Sequence, residues 1–336
     1  MLLALQSLVD PMALTATAAC LLAALGFALG MDLRWGEPAA AWHPVVWMGH
    51  YLNACGQRLK RRPPAMAFLG GGLAWCVGAA AVGLLAAWLQ SLIVGWLQRS
   101  GWHQLSWSGW LMLTALVLLL AVLLKPMLAW RMLRDEVQAV EAALQTSLAA
   151  GHERLSWLVS RDVGQLSESE VRESAIESLA ENLNDSVVAP VFWFVLLGLP
   201  GAAVYRFANT ADAMWGYRGE WEWAGKWAAR ADDVLSWVPA RLTAALIWLV
   251  AGEFRLAGLR REAAQTPSPN SGWPMAAMAL ALGVCLRKPA VYVLNKAGRA
   301  PQAVDTVLAV SIASKVVFAL IPCALPATFL IALGMA

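Results

Sequence analysis

Long apolar stretches separated by short polar segments dominate the chain. Four of them reach the length of about 20 apolar residues that a helix needs to cross a membrane: residues 12–30, 66–89, 110–130 and 306–335. The last stretch contains Lys315, Pro322 and Pro326, so it is compatible with one kinked helix or with a tight hairpin. This pattern predicts an all-α, polytopic integral membrane protein.

Three shorter apolar stretches lie in the polar middle of the chain, at about 187–204, 242–254 and 275–286. If only one of them crossed the membrane, a polar segment rich in Lys and Arg would move outside. We therefore expect re-entrant, interfacial or protein-covered helices, which are tolerated at membrane depth when protein surrounds them. A paired crossing that places residues 206–241 outside is the alternative. The expected domains are N-terminal membrane helices (1–130), a polar catalytic region (131–302) and a C-terminal membrane segment (303–336).

The distribution of positive charge predicts the orientation. Lys and Arg are absent from residues 1–33, number five in residues 31–64 and one in residues 98–109. Because cytoplasmic loops carry the excess of Lys and Arg, we expect the N-terminus outside and the polar loops in the cytoplasm. We expect a multi-pass protein of the inner cell membrane, in contact with the lipid bilayer.

Composition supports the membrane assignment and excludes other classes. Of the 336 residues, 60% are hydrophobic and 14% are charged, against about 25% charged in a soluble domain. The net charge of +3 is small and the cations lie beside carboxylates, which argues against a nucleic-acid partner. The five cysteines are far apart and form no CxxC pair, so we expect neither a disulfide framework nor a zinc site.

An acidic helix is predicted in the middle of the chain. Ser167 and Glu170 have the spacing of a capping box, so the helix should start near residue 168. At 3.6 residues per turn, one stripe is polar and the opposite side is apolar; the polar stripe is Glu170, Glu173, Glu177, Glu181 and Asn184. The stripe is either a solvated face or a site where Glu177, Glu181, Asn182 and Asp185 meet Mg²⁺ or arginines.

A second polar segment, residues 206–241, is rich in tryptophan. A helix would present Arg206, Asn209 and Asp212 on one face, and Asp232 and Asp233 follow a further arginine. These charges indicate either a structural ion-pair network or a functional site, since ionisable groups near a bilayer are usually retained for function. The aromatic residues suit a flat, half-apolar ligand or the membrane interface: Trp215, Tyr217, Trp221, Trp223 and Trp227.

Two shorter segments read as turns. In "SPNSGWP" (268–274) the prolines and glycine predict a tight turn that leaves the Ser268 hydroxyl, the Asn270 amide and backbone N–H groups free to meet an anion. A turn without a ligand is equally consistent. The second segment is residues 31–50, where His43-Pro44 marks a turn. His43 and His50 could share a helix face, but a metal site there lacks further ligands.

Taken together, the polar segments resemble the CbiB/CobD family, the membrane-bound adenosylcobinamide-phosphate synthases of cobalamin biosynthesis. The motifs occur in order as "MDLRWGEPAAAWHPVVWMG", "SRDVGQLSESEVRESAIESLAENLNDSVVAPVFW", "YRFANTADAMWGY", "WAARADDVLSWVPARLTA" and "SPNSGWPMAAMALALG". The resemblance implies an ATP-dependent ligase. It joins (R)-1-amino-2-propanol O-phosphate or ethanolamine phosphate to the free propionate of adenosylcobyric acid, and an oligomer is compatible with it.

The resemblance also implies roles for residues. Because a carboxylate is a poor electrophile, its activation, most simply as an acyl phosphate, lets the amine attack. We expect catalytic carboxylates at Asp162, Glu177, Asp232 and Asp233. We expect substrate and phosphate binding at Arg161, Arg206, Asn209, Tyr217, Arg241, Ser268, Asn270 and His43, with arginines as phosphate clamps. We expect Mg²⁺ ligands at Glu181, Asn182, Asp185 and Asp212. Glu181, Asp212, Asp232 and Asn270 should converge at the cytoplasmic rim.

The chain departs from the family pattern at several positions. Leu183 and Ser186 stand where the family has Thr and Gly, Glu37 where Asp is commoner, Ser271 for Ala, and Met275 for Glu. The charged residues persist, so we expect the chemistry to be retained; a changed substrate or a specialised paralogue is the alternative. No Walker A motif occurs, so the use of ATP rests on the resemblance alone.

Three other function classes compete with the ligase. A non-catalytic, AmpE-like membrane regulator would not need its acidic clusters for nucleotide binding. A prenyltransferase would need a repeated Asp spacing that Asp185 and Asp232 do not continue. A transporter would concentrate its polar residues within the membrane spans, whereas here they lie in the loops.

Overall fold

The computed structural model describes residues 11–99, 106–217, 219–252 and 256–332. Almost all of its regular structure is helical, which confirms the predicted class. The helices are α1 (Pro11–Trp35), α2 (Pro44–Leu59), α3 (Pro64–Arg99), α4 (Trp107–Leu124), α5 (Trp130–Thr146), α6 (Leu148–Leu155), α7 (Glu168–Leu183), α8 (Ala189–Leu197), α9 (Leu199–Trp215), α10 (Lys226–Leu235), α11 (Trp237–Ala251), α12 (Leu256–Ala263), α13 (Gly272–Leu282) and α14 (Ala303–Ala332).

Four helical segments among the described residues are long and apolar enough to cross a membrane. They are Thr17–Trp35, Pro64–Trp96, Trp107–Thr146 and Ala303–Pro326, and they coincide with the four predicted stretches. Helix α14 continues without a break through Pro322 and Pro326, so the hairpin alternative for the last stretch is wrong. The pair α10 and α11 passes the same test only together, which gives up to five spans. The predicted orientation stays a prediction, and residues 1–10 lie outside the described part.

The described chain falls into two compact units. The first comprises the described residues up to Leu128, Ala189–Val234 and the chain from Leu320 onward; the second comprises Ala129–Val188 and Leu235–Ala319. The predicted three-part division follows the order of the chain, whereas each of these units draws on separated segments.

In the first unit, α9 packs along α3 and against α2 and α8. The start of α9 depends on Gly198, whose φ of 71° favours glycine. The Oε1 atom of Gln90 on α3 accepts a hydrogen bond from the backbone N–H of Leu199 at 2.7 Å. Gly78 gives α3 room for the ring of Phe207, because a Cβ there would overlap it. These contacts position the predicted polar residues of α9.

In the second unit, α7 packs against α5, α6 and α13. The predicted capping box is present: Ser167 caps the helix, and Glu170 Oε2 accepts the Ser167 N–H at 2.8 Å. Helix α7 therefore starts at residue 168, as predicted. Helix α13 is buried from Pro274 to Ala279, which fits the protein-covered alternative for this short apolar stretch.

A small hairpin departs from the all-helical pattern. Strands β1 (Leu286–Lys288) and β2 (Tyr292–Leu294) pair antiparallel and are the only strands within the described ranges. Lys288 lies opposite Tyr292 in the register. The strands are three residues each, too short for alternation of polar and apolar residues to reveal them.

Candidate functional site

The acidic stripe of α7 is buried in the second unit. Glu173 is 0% exposed and Glu177 is 5% exposed. The solvated-face interpretation is therefore wrong for these two residues, because α13 and strand β1 pack against α7 as well as α5 and α6. Buried carboxylates need partners, and the hydrogen bonds around them define the candidate site.

Glu173 binds Arg287 of strand β1. The Arg287 backbone N–H donates to Glu173 Oε2 at 3.0 Å, and Arg287 Nε donates to Oε1 and Oε2 at 3.1 and 3.0 Å. Burial raises the pKa of Glu173, although Arg287 opposes that shift. Glu173 thus attaches the hairpin to α7.

Glu177 lies one helical turn further on and is less completely paired. Its Oε2 is 3.5 Å from Nη2 of Arg161, which also donates to Ser174 Oγ at 2.5 Å. Among the described residues, Glu177 Oε1 accepts no hydrogen bond and Arg161 Nε and Nη1 donate none, and all three atoms are buried. Burial raises the pKa of Glu177 to about 7, against the opposing charge of Arg161 and the nearby Tyr292 hydroxyl. A carboxylate with this pKa can exchange a proton at neutral pH.

The predicted metal ligands of the second unit follow at the end of α7. A π-helical turn, residues 184–188, carries Asp185, whose Oδ1 accepts from Asn184 Nδ2 at 2.7 Å. Asn182 Nδ2 donates to the Ser178 carbonyl at 2.9 Å, which holds the amide in place. Glu181, Asn182 and Asp185 are all half-buried. No group of three His, Cys, Asp or Glu side chains with metal-binding geometry occurs in the described part of the chain.

Arg241 holds the predicted turn of the second unit. Its Nη1 donates to Asn270 Oδ1 at 2.7 Å and its Nη2 to the Pro269 carbonyl at 3.1 Å. Its guanidinium lies 4.5 Å from the Trp237 ring and 4.7 Å from the Trp273 ring. The fold thus brings Arg241 and Asn270 together, and the two hydrogen bonds of Arg241 fix the turn.

Ser268 serves the turn itself. Its Oγ accepts hydrogen bonds from the backbone N–H groups of Asn270 and Ser271, both at 3.2 Å. The prediction that the N–H groups of this turn are free to meet an anion is therefore wrong for these two residues, because a serine turn already uses them. The phosphate-binding roles of Ser268 and Asn270 stay predictions.

The first unit holds the other predicted set. Helix α9 carries Arg206, Asn209 and Asp212 at the expected spacing, and all three are half-buried. Asn209 Nδ2 is 3.5 Å from Asp232 Oδ1 on α10, which brings these two predicted residues together. Asp233 lies 3.7 Å from Arg230, a side chain that is 84% exposed.

The aromatic residues of this segment divide by burial. Trp215 and Trp221 stack on each other, with ring centroids 6.0 Å apart, and Trp215 is buried. Tyr217, Trp223 and Trp227 are exposed. The stacked pair is therefore part of the packing, and the exposed residues keep both predicted roles open, ligand contact and membrane interface.

His43 belongs to a partly buried network in the first unit. Its Nδ1 accepts the Val45 N–H at the start of α2, and its Nε2 is 2.8 Å from Glu37 Oε2. Lys125 Nζ lies 3.0 Å from Glu37 Oε1 and 3.2 Å from Asp32 Oδ1. Burial favours the neutral form of Glu37, but His43 and Lys125 hold its pKa below the usual value. Both ring nitrogens of His43 are thus engaged within the protein.

Comparisons with known proteins identify the family. The family model described as "CobD/Cbib protein" matches residues 25–316. This chain belongs to the CobD/CbiB family. It is 40% identical to the probable cobalamin biosynthesis protein CobD of Thermococcus kodakarensis over 271 residues, which cover 79% of this chain and 82% of that protein. It is 36% identical to the cobalamin biosynthesis protein CobD of Rhizobium meliloti over 312 residues, 84% of this chain and 89% of that protein. No solved structure matches the chain.

Three of the five positions at which we expect a departure from the family pattern lie on α7, on the π-helical turn and on α13. Leu183 is the last residue of α7 and Ser186 lies within the π-helical turn, and both are buried. Met275 is buried on α13, where its Sδ is 3.7 Å from the Tyr292 hydroxyl. Leu183 and Ser186 leave the charges of α7 in place, whereas Met275 puts an uncharged side chain beside Tyr292 where a Glu is expected.

Sequence reasoning missed several residues of these networks. Lys125 lies within a predicted membrane stretch, and a lone cation there is a signal of function that could have singled it out. Arg287, Lys288 and Tyr292 lie in the hairpin, which had no sequence signature. Asp162, predicted to be catalytic, is exposed, and its Oδ1 accepts the Gly164 N–H at 2.9 Å in a local turn.

The two units divide the four residues that the sequence predicts to converge. Glu181 and Asn270 belong to the second unit, and Asp212 and Asp232 belong to the first. Their action in one site stays a prediction.

Proposed function

We propose that the chain is an adenosylcobinamide-phosphate synthase. In this reaction an amino-alcohol phosphate is joined by an amide bond to the free propionate of adenosylcobyric acid, with consumption of ATP. The observation that carries the proposal is the buried Glu177 carboxylate beside the guanidinium of Arg161, in a chain of the CobD/CbiB family. The names of the relatives, cobalamin biosynthesis proteins, favour biosynthesis over a regulatory role.

The amine substrate must lose a proton before it can attack. An amino alcohol phosphate carries an ammonium group at neutral pH, and an ammonium has no lone pair. Glu177, with a pKa of about 7, is poised to receive that proton at the pH of the cytoplasm. Its burial keeps water away from the acceptor oxygen, which favours proton transfer from the substrate.

The other substrate must become an electrophile. Transfer of the γ-phosphoryl group of ATP to the propionate carboxylate gives an acyl phosphate and ADP. After Glu177 has taken one proton from the ammonium, attack by the amine nitrogen forms the C–N bond. The C–O bond to phosphate then breaks, and inorganic phosphate leaves with the second N–H proton. Arg161, the guanidinium beside Glu177, is our candidate for stabilising the phosphate charge.

Mg²⁺ fits the side chains at the end of α7. Mg²⁺ usually binds one or two protein carboxylates together with water and substrate phosphates, so a cluster of three acidic ligands is not required. Glu181, Asn182 and Asp185 are the side chains that would hold the ion. When bound, Mg²⁺ neutralises the charge on the phosphates of the nucleotide.

The direct test supplies the purified chain with ATP, Mg²⁺, adenosylcobyric acid and either amino-alcohol phosphate. We expect a product by mass spectrometry that equals the two substrates minus water, with one ADP and one phosphate formed for each amide. AMP and pyrophosphate would indicate an acyl adenylate in place of the acyl phosphate. Absence of amide with both amines would contradict the proposal.

A further inference from the structure

The hairpin is fixed on α7 next to the catalytic carboxylate. Glu173, which is wholly buried, accepts the Arg287 backbone and side-chain hydrogen bonds described above. Glu177 follows Glu173 by four residues, so it lies on the same face of α7, one turn along. The attachment point of the hairpin is therefore adjacent to Glu177.

One face of the hairpin is turned toward the protein. Lys288 and Tyr292 are register partners, so their side chains lie on the same face. Leu286 and Leu294, two residues away on the same face, are both buried. The Tyr292 hydroxyl reaches Met275 on α13 and lies beside Glu177; burial, and after it the Glu177 carboxylate, raises the pKa of Tyr292. Lys288 is exposed at the end of β1, and its charge lowers the pKa of Glu177 less than Arg161 and the Tyr292 hydroxyl do.

The buried polar atoms without partners beside this face indicate which charges a ligand of the site carries. Glu177 Oε1 is a buried acceptor without a donor, and Arg161 Nε and Nη1 are buried donors without an acceptor, within the residues that the structure describes. A simple anion would satisfy Arg161 but would be repelled by Glu177, and a simple amine would do the reverse. A small molecule that carries both an ammonium and a phosphate satisfies both residues.

We propose that Lys288 and Tyr292 are further residues of this site, with Lys288 joining Arg161 in binding the phosphate of the zwitterion and Tyr292 positioning the Glu177 carboxylate that receives its ammonium. This inference rests on the proposed function. It extends that function by making the hairpin the element that selects the phosphorylated amine over the free amino alcohol.

Binding is tested on the full chain in detergent by calorimetry, without ATP or corrinoid. We expect O-phosphoethanolamine to bind at least about tenfold more tightly than ethanolamine or inorganic phosphate, because only the zwitterion makes both charge-assisted contacts. Lys288→Ala should weaken O-phosphoethanolamine about tenfold, Lys288→Arg should restore most of the affinity, and Lys296→Ala, an exposed cation eight residues further on, should change nothing. Equal affinity for phosphate and zwitterion, or an unchanged Lys288→Ala variant, overturns the inference.

Tyr292 is tested by its effect on proton transfer. Tyr292→Phe removes a hydroxyl that lowers the pKa of Glu177, so the acid limb of kcat/KM should move to higher pH. A loss of rate without movement of that limb would indicate a packing role and contradict the positioning role.

The two proposals fail differently. If the wild-type chain binds O-phosphoethanolamine as described but forms no amide, the proposed function is wrong and the subsite stands. If it forms the amide while Lys288→Ala leaves the KM for the amino-alcohol phosphate unchanged, the subsite is wrong and the function stands.

Discussion

Helix α7 and the tryptophan-rich segment around α10 are both rich in charged residues, but these side chains differ in how far they are buried. On α7, Glu173 and Glu177 are almost wholly buried, and Glu173 is fixed by several hydrogen bonds. On α10, Asp233 is half-buried and burial raises its pKa, but Arg230, 3.7 Å away, is 84% exposed. The two regions have a similar density of charge in the sequence, and they differ in the burial of their charged side chains.

Burial matters because it changes what a carboxylate can do. An exposed carboxylate near water keeps its ordinary pKa and interacts weakly with a neighbouring cation. A buried carboxylate has lost its hydration, which raises its pKa. The low dielectric of the interior also strengthens the hydrogen bonds that it makes. We therefore place the proton transfer on α7 and expect surface acids of the first unit to matter less for it.

The sharpest contrast between the regions is catalytic. Glu177→Gln keeps the shape of the side chain but removes the proton acceptor, so we expect kcat to fall by about 10² to 10⁴-fold. The matched control is Glu222→Gln in the tryptophan-rich segment, where the carboxylate is 43% exposed and 3.6 Å from Lys226. That variant should keep its rate within about twofold. Equal losses in the two variants would remove the distinction between buried and exposed acids.

The pH dependence sharpens the same contrast. With a pKa of about 7, Glu177 is protonated in acid and cannot accept a proton, so kcat/KM should fall about tenfold for each pH unit below 7. The groups that face it are Arg161, Tyr292, Glu173 and Lys288, and burial outweighs them.

Stability has the opposite dependence on pH. The folded protein keeps the Glu177 proton up to about pH 7, while the unfolded chain loses it near the ordinary value of 4.5. This contribution is therefore full below pH 4.5 and is lost as the pH rises to 7. Unfolding curves of wild type and Glu177→Gln across this range check it, because the variant should lack this component.

The limits of sequence reasoning follow the same division. Apolar length located the four described helices that are long and apolar enough to cross a membrane, and the Ser167–Glu170 spacing located the start of α7, because both signals are local in the chain. The burial of Glu173 and Glu177 depends on α13 and a hairpin more than 90 residues away, which no local pattern records. Spacing alone could therefore predict the acidic stripe but left its solvation undecided.

Lys125 and Arg287 show why the remaining partners were missed. Each is a single cation whose importance comes from the carboxylate it meets, Glu37 in one case and Glu173 in the other. Such pairs join distant segments of the chain, so their geometry appears only after folding. The family resemblance identified the motifs in the sequence, whereas the ion-pair partners of their carboxylates became visible only in the structure.

Ion pairs extend the comparison to stability. In the second unit, Arg172 Nε and Nη2 bind the two oxygens of Glu141 at 2.9 Å each, and Thr306 donates to the same carboxylate at 3.0 Å. Glu141→Gln removes the buried counter-charge of Arg172 and leaves the more exposed Glu168 beside it, so we expect a loss of about 3 kcal/mol in the free energy of unfolding. Chemical unfolding in detergent micelles measures it. A loss below about 1 kcal/mol would show that Glu168, which also pairs with Arg172, is a sufficient partner.

The exposed counterpart in the first unit is the pair Lys60 and Glu220. Their charged atoms are 3.1 Å apart, close to the separation in the buried pair, but the Glu220 side chain is 73% exposed. Water screens this interaction, and the ordering of two long side chains offsets part of it, so Glu220→Gln should change the free energy of unfolding by less than about 1 kcal/mol. The effect should shrink further in high salt, whereas that of Glu141→Gln should not. A loss as large as in the buried pair would mean that distance, and not burial, sets the strength of ion pairs in this protein.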